Sequence, residues 1–304
     1  MSLIGSLSSG VTGLQTFSKD LEVIGNNIAN VNTTAFKSGS LGFTESFSNT
    51  LRASQPGNGG AVSNVQASQI GSGVKIAGIN VNFNQGALTT TGQATDLGVS
   101  GEGFFLVKDG SGVTYATRDG NFRWDDQGYL VNATGMRVQG LTGDSTKAPT
   151  TATGDIKRDD SIVTNAAGVD TTVQSIAIDR AGDVVQFYSD GGNKTVGQVL
   201  LQKFSQPSSL MKHGDGLYTS LANAGPAGTD GIFTSKADVT VAADYTAGSG
   251  ANGTIEAGTL EQSNVDLTAE FANMITAQRS FQANARVVTV SDSVLDDIVN
   301  LKRS

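Results

Sequence analysis

Cysteine is missing from this chain altogether, histidine occurs once, at His213, and tryptophan once, at Trp124. Without cysteine there is no disulfide and no thiolate metal site, and a single imidazole leaves no second one for a zinc or iron centre. Charge is scarce as well. Asp, Glu, Lys and Arg make up 16% of the residues, and the net charge of -8 comes with twenty basic residues that are scattered rather than clustered. That distribution argues against nucleic acid or an anionic membrane as partner. No run approaches the ~18 consecutive apolar residues of a membrane helix. The N-terminal stretch lacks the basic start and compact apolar block of a signal peptide, so neither insertion nor cleavage is expected. The space is taken by 39 glycines together with Ser, Thr, Asn and Ala, small groups suited to touching other protein. A secreted all-β protein rich in turns would have the same composition, and composition alone leaves both open.

At 304 residues the chain has room for about two domains, and its ends differ from its middle. From Val265 to Leu301 the positions Leu267, Phe271, Met274, Gln278, Phe281, Ala285, Val288, Asp292, Leu295 and Val299 step by four and three, the period of a coiled-coil seam. Ser263 followed by Asp266 suggests a capping box at its start, with Asp266 and Glu270 near the positive helix end. The N-terminus repeats the same steps through Leu3, Leu7, Gly10, Leu14, Phe17, Leu21, Ile24, Ile28 and Val31. Gly5, Gly10, Gly13 and Gly25 each cost this helix about 1 kcal/mol relative to Ala, so it should be weak alone and completed by neighbours. The two helices are expected to pair.

The run Gly25–Gly39 is rich in Asn and Thr, which compete for backbone hydrogen bonds and should end the helix near Val31. A connector is expected over 37–73, its polar part from Leu51 to Ser72 mobile in a free monomer. From Val74 the period changes to two. Turn signals at Gly101, Asp109-Gly110, Asp119-Gly120, Gln127-Gly128, Thr134-Gly135 and Asp190-Gly191 separate short strands, which predicts antiparallel hairpins. The expected fold class is α+β: a helical domain from 1–36 and 260–304 enclosing a β-rich domain over 74–259, with loop insertions near 142–170 and 224–258.

Chemistry is hard to assemble from these residues. His213 lies in a predicted turn, MKHGDGLY, and reads as a surface residue rather than a catalytic base. Gly101-Glu102-Gly103 sits between strands and does not open a helix, so it fails as a dinucleotide loop. Asp119, Asn121 and Asp125 hint at calcium but lack the EF-hand's central Gly and terminal Glu. Asn132-Ala-Thr134 is a sequon of no weight by itself. Trp124 alternates with Phe122 in a predicted strand, which suits core or interface better than sugar stacking. No catalytic, metal or cofactor site is expected, and no cofactor.

Four runs carry a likeness to a known family: LEVIGNNIANVNTTAFKSG (Leu21–Gly39), TDLGVSGEGFFLV (Thr95–Val107), TRDGNFRWDDQGYLVNATGMRVQG (Thr117–Gly140) and the stretch from Leu260 to Arg303. Together they resemble the rod and hook family of bacterial flagellar axial proteins. Asn26, Asn27, Asn30, Phe36, Asn264, Gln278 and Arg279 fall in the matching motifs. NVDLTAEF, QRSFQANA and the closing VNLKR look like the hook member of that family, in a compact form.

The resemblance implies a structural, non-enzymatic subunit of a homopolymeric helical tube, with terminal helices around a central channel and the β domain outside. It implies export without a cleavable signal peptide, and an extracellular place in the flagellum. Adjoining axial proteins, a hook cap and the export apparatus would be its partners, and the hook would serve as a flexible joint that transmits torque from rod to filament. A distal rod subunit is the alternative, and a secreted β-rich adhesin or carbohydrate-binding module the remote one. Leu3, Leu7, Leu14, Phe17, Leu21, Ile24, Ile28, Leu267, Phe271, Met274, Phe281, Val288 and Leu295 are the residues expected to form the assembly seam.

Overall fold

A computed structural model of the chain describes residues 3–54, 66–142, 153–159, 163–164, 170–227, 232, 245–248 and 252–301. Parts of the insertions expected near 142–170 and 224–258, and of the polar stretch from Leu51 to Ser72, lie outside these residues. The described chain is α+β, with a helix at each end and antiparallel strands between, in two compact units.

The first unit comprises 1–31, 38–82 and 265–304. Helix α1 spans Leu3–Ala29 and helix α2 spans Leu267–Leu301. The Asn-rich run ends α1 as its chemistry dictates: the Asn30 side-chain amide donates to the Asn26 carbonyl at 2.9 Å, sharing that acceptor with its own backbone N–H at 3.2 Å. At α2 the cap is Asp266 rather than the expected Ser263. Its Oδ1 accepts from the backbone N–H groups of Thr268 at 2.9 Å and Ala269 at 3.3 Å. Helix entry waits until this point because Asn264 is already engaged, its N–H on the Phe36 carbonyl and its amide on the Asn84 carbonyl.

Residues expected as connector form strands of a two-part ribbon, joined by Val74–Val81, which was expected in the β domain but belongs to this unit. Strand β1, Gly39–Glu45, pairs with β4, Val74–Val81, and β2, Ser48–Arg52, pairs with β3, Ser68–Gly71. The ribbon leans on α1, where the Phe17 and Phe43 rings lie 5.5 Å apart.

The second unit comprises 32–37 and 83–264. Its centre is an antiparallel sheet whose main path runs Val173–Ile178, Asp183–Tyr188, Asn193–Val199, Arg137–Thr142, Phe104–Lys108, Thr114–Thr117, Leu217–Thr219 and Met211–Gly214. Strand Phe104–Lys108 is covered on both faces, so its alternate side chains enter different cores. Phe105 and Val107 join Val99, Phe122, Leu130, Val138 and Ile255 in one cluster. Phe104 and Leu106 join Leu200, Phe204, Tyr218 and Tyr245 in another. Each such side chain contributes about 1.5–3 kcal/mol on burial.

Six described strands of this unit stand outside that sheet: β5, Leu88–Thr90, and β6, Leu97–Ser100, pair with Thr259–Glu261 and Thr254–Ala257 respectively, and Val163–Thr164 pairs with Asp170–Thr171. Among the predicted turn positions, Gly101, Gly128, Gly135 and Gly191 are at positive φ, whereas Asp119-Gly120 joins two strands that do not pair with each other.

Candidate assembly surface

The helices of the first unit run antiparallel, and their contact is built from small residues. Ser6 and Ser291 hydroxyls lie 3.4 Å apart. A Cβ placed on Gly10 would stand 3.0 Å from the Val288 methyl, and one on Gly13 would stand 2.9 Å from the Asn284 side chain. Asn27 closes the far end. Its amide donates to Glu270 Oε1 at 3.0 Å and to the Gly39 carbonyl at 2.8 Å, while its Oδ1 accepts from Gly39 N–H at 2.9 Å. One buried amide therefore ties both helices to the start of the ribbon.

The contact row is 6, 10, 13 and 27 on α1 against 291, 288, 284 and 270 on α2. It keeps the steps of three and four and shares Gly10 and Val288 with the expected seam. Its other members lie one residue before expected seam positions, Gly13 before Leu14, Asn27 before Ile28, Asn284 before Ala285 and Ser291 before Asp292, and Leu14, Ile28 and Ala285 are themselves half-buried. Helix axes that approach this closely admit Gly, Ser and Ala where large side chains would hold them apart.

The expected seam residues divide accordingly. Ile24 is buried, while Leu7, Leu14, Phe17, Leu21, Ile28, Met274, Val288 and Leu295 are half-buried. Leu267, Phe271 and Phe281 are exposed, at 38%, 50% and 37%. The side chain of Leu3 lies outside the described residues. Of the motif positions, Asn27 is buried, Asn30, Phe36 and Asn264 are half-buried, and Asn26, Gln278 and Arg279 face outward.

Away from its contact with α1, α2 carries uncovered apolar side chains along most of its length. Leu267, Phe271 and Ile275 form one group, and Val287, Val290, Val294, Ile298 and Leu301 form a second row at helical spacing. The ribbon adds Phe47, Leu51, Ile76 and Ile79, all exposed. A groove of about 790 Å³ runs between α1, the ribbon and Phe281, lined by Leu14, Val74 and Ile76 among polar Thr12, Gln15 and Lys19.

Two carboxylates at the helix pair are perturbed. Burial raises the Glu270 carboxyl above the ordinary Glu value, the Asn27 hydrogen bond opposes this, and Asp20 and Asp266 push it further up. Burial raises Asp20 as well.

The second unit holds a group that sequence reasoning did not single out. Glu261 accepts from Lys37 Nζ at 2.6 Å and from Gly86 N–H at 2.8 Å on Oε1, and from Arg118 Nη1 at 3.4 Å on Oε2. The Lys37 and Glu261 side chains are fully buried. Burial lowers both cations against the opposing pull of Glu261. The signal available was a lone Lys after Phe36 and a lone Glu after Leu260 in motif-bearing runs, and nothing in one sequence pairs them across so long a gap.

The remaining residues weighed for chemistry have structural surroundings. His213 lies on strand Met211–Gly214 rather than in a turn, exposed, its ring 5.2 Å from that of Tyr115. Asp119 accepts from Asn121 N–H, and Asp125 from the N–H groups of Gln127 and Tyr129, as turn residues do. Asn132 does the same for Thr134 and Met136. Trp124 packs partly buried against the core that contains Phe122.

Paired terminal helices, an antiparallel β unit inserted between them in the sequence, and apolar rows left uncovered on one helix define the class of architecture. The comparisons are specific about which kind. Residues 7–37 match the flagella basal body rod protein family, 98–186 the flagellar hook protein FlgE/F/G D1 domain, and 256–301 the flagellar basal body rod FlgEFG protein C-terminal family.

The chain is 35% identical over 301 residues to the flagellar basal-body rod protein FlgG of Bacillus subtilis strain 168, covering 99% of this chain and 100% of that protein. It is 31% identical over 302 residues to FlgG of Caulobacter vibrioides, covering 98% and 99%. With the flagellar hook protein FlgE of Borreliella burgdorferi it shares 27% over 459 residues, covering 99% and 100%. The chain belongs to the flagellar hook and rod family of structural axial components. Among the described residues no helix is long and apolar enough to cross a membrane.

Proposed function

We propose that the chain is a self-polymerising subunit of the flagellar axis, a compact hook subunit whose copies join through the outer faces of α2 and the ribbon into a tube around an export channel. The observation that carries this is the uncovered apolar surface of α2. Phe271, Ile275, Val290 and Ile298 stand 50%, 54%, 61% and 48% exposed, and a helix paired on one side only has room for further helices on the others. Exposed apolar side chains on a two-stranded ribbon, marginal by itself in water, support the same reading.

Two features favour the hook. The run from Asn264 to Arg303 has the residues that the hook resemblance rests on. Faces of Ser, Thr, Asn and Gly can slide between alternative contacts of similar free energy, where fixed ion pairs would lock one register. On this reading the tube lies outside the cell, with adjoining axial proteins, a cap and the export apparatus as partners.

A distal rod subunit, within the cell envelope, is favoured by a different observation: the FlgG alignments run end to end at 301 and 302 positions, whereas the hook alignment needs 459. Electron microscopy of tubes grown from the purified chain separates the two, curved tubes for a hook and straight ones for a rod. A chain that stays monomeric under all assembly conditions, and does not add to axial structures in a null strain, overturns both.

A further inference from the structure

Lys37, Arg118 and Glu261 form a buried cluster of two cations and one anion, and each member comes from a different part of the chain. Glu261 lies 224 residues from Lys37, 143 from Arg118 and 175 from Gly86. Lys37 also donates to the Asn84 carbonyl at 2.8 Å, and Arg118 to the Gly101 carbonyl at 2.8 Å. Among the described residues, Glu261 is the carboxylate within ion-pair reach of both cations. Carbonyls satisfy hydrogen bonds but do not neutralise charge, so the unit without Glu261 would enclose two uncompensated cations.

The segment that delivers Glu261 is peripheral in topology. Residues 254–261 pair with β6 and β5 in two separate two-stranded sheets and with no strand of the central sheet. Around them the backbone is knitted to the same region, with Gly258 N–H on the Asp96 carbonyl, Gln262 N–H on the Ala87 carbonyl and Ala35 N–H on the Glu261 carbonyl. The central sheet lies entirely within residues 104–219, and it can form before this layer closes over it. Contacts that span such separations are the ones loop-closure entropy places late.

We propose that Glu261 is the closing residue of the β unit: the central sheet forms first, and strands 254–261 dock last, drawn in by the charges of Lys37 and Arg118. A chain that emerges from its N-terminus would hold this unit open until residue 261 arrives. The inference is independent of whether the tube is a hook or a rod.

The test is refolding and unfolding kinetics of the full chain, followed by Trp124 fluorescence, for the unaltered protein and Glu261→Gln. Interactions made after the rate-limiting step act on unfolding. Unfolding should therefore accelerate about tenfold or more, with refolding changed less than about twofold. Refolding slowed as much as unfolding is accelerated, or both rates unchanged, overturns the proposal. If Glu261→Gln does not fold, native-state hydrogen exchange on the unaltered chain decides. The amides of Ala35, Gly86 and Gln262 should share one opening, with protection at least about tenfold below that of the Phe104–Lys108 strand. Equal protection overturns it.

Discussion

At the scale of single residues, the glycines separate into those that permit a contact and those that merely weaken a helix. A Cβ on Gly120 would lie 1.7 Å from the Leu97 carbonyl oxygen, backbone that cannot rotate aside, whereas one on Gly25 meets nothing within 4 Å. Gly120→Ala should therefore destabilise the β unit by about 2–4 kcal/mol, read as a lower urea midpoint of Trp124 fluorescence. Gly25→Ala should instead stabilise α1 by about 1 kcal/mol, read in the thermal midpoint of helical circular dichroism.

Glu270 carries a pH dependence whose sign follows from its environment. Burial lifts its carboxyl above the unfolded value, so the folded state holds its proton to higher pH than the unfolded one does. The helix pair is then most stable below the ordinary Glu range and loses stability as pH rises through the raised value. Glu270→Gln, which keeps an acceptor for Asn27, should flatten that loss and raise the helical melting temperature at neutral pH. A melting temperature that falls at neutral pH would show that the carboxylate charge is stabilising.

At the scale of elements, α2 has two kinds of surface, and substitutions on them should behave differently. Phe271 and Val290 are half or more exposed, so Phe271→Asp and Val290→Asp should leave the unfolding midpoint of the single chain within about 0.5 kcal/mol of the original. The same variants should abolish tubes in sedimentation and electron microscopy. Ala277, 2% exposed, is one of the buried positions of the helix. Ala277→Leu should part the helices and lower the helical melting temperature before any assembly is attempted. The alternating steps of both helices were legible as coiled-coil period, but which half of each row makes the contact was not. Hydrophobicity ranks Leu14 and Phe271 above Gly13 and Glu270, yet Gly13 lies against Asn284 and Glu270 is held by Asn27, because close approach favours small or hydrogen-bonded groups at these points.

At the scale of the whole molecule, the two units differ in how much they hold for themselves. The β unit has two buried clusters and a closed ion cluster. The helical unit leaves much of its apolar surface in water. Amide exchange should therefore be slow in strand Phe104–Lys108 whether the chain is free or assembled. In α1 and α2 it should be fast in the free chain and slow down at least about a hundredfold in tubes, as coupled ordering requires. Equal protection of the helices in both states would mean that assembly completes nothing in them.

The chain's own order of residues was sufficient for a great deal. Heptad steps at both ends, with alternation and turn glycines in the middle, led to α+β with a helix at each end, because each rests on neighbours a few residues apart, and the structural role came with the family likeness of four runs. The tertiary structure alone decided the rest: the small-residue contact between the helices, the Asn27 amide shared among two helices and a strand, and the burial of Lys37 and Arg118 on Glu261. Those depend on which distant residues arrive at one place, and a residue's local pattern carries no record of a partner two hundred positions away.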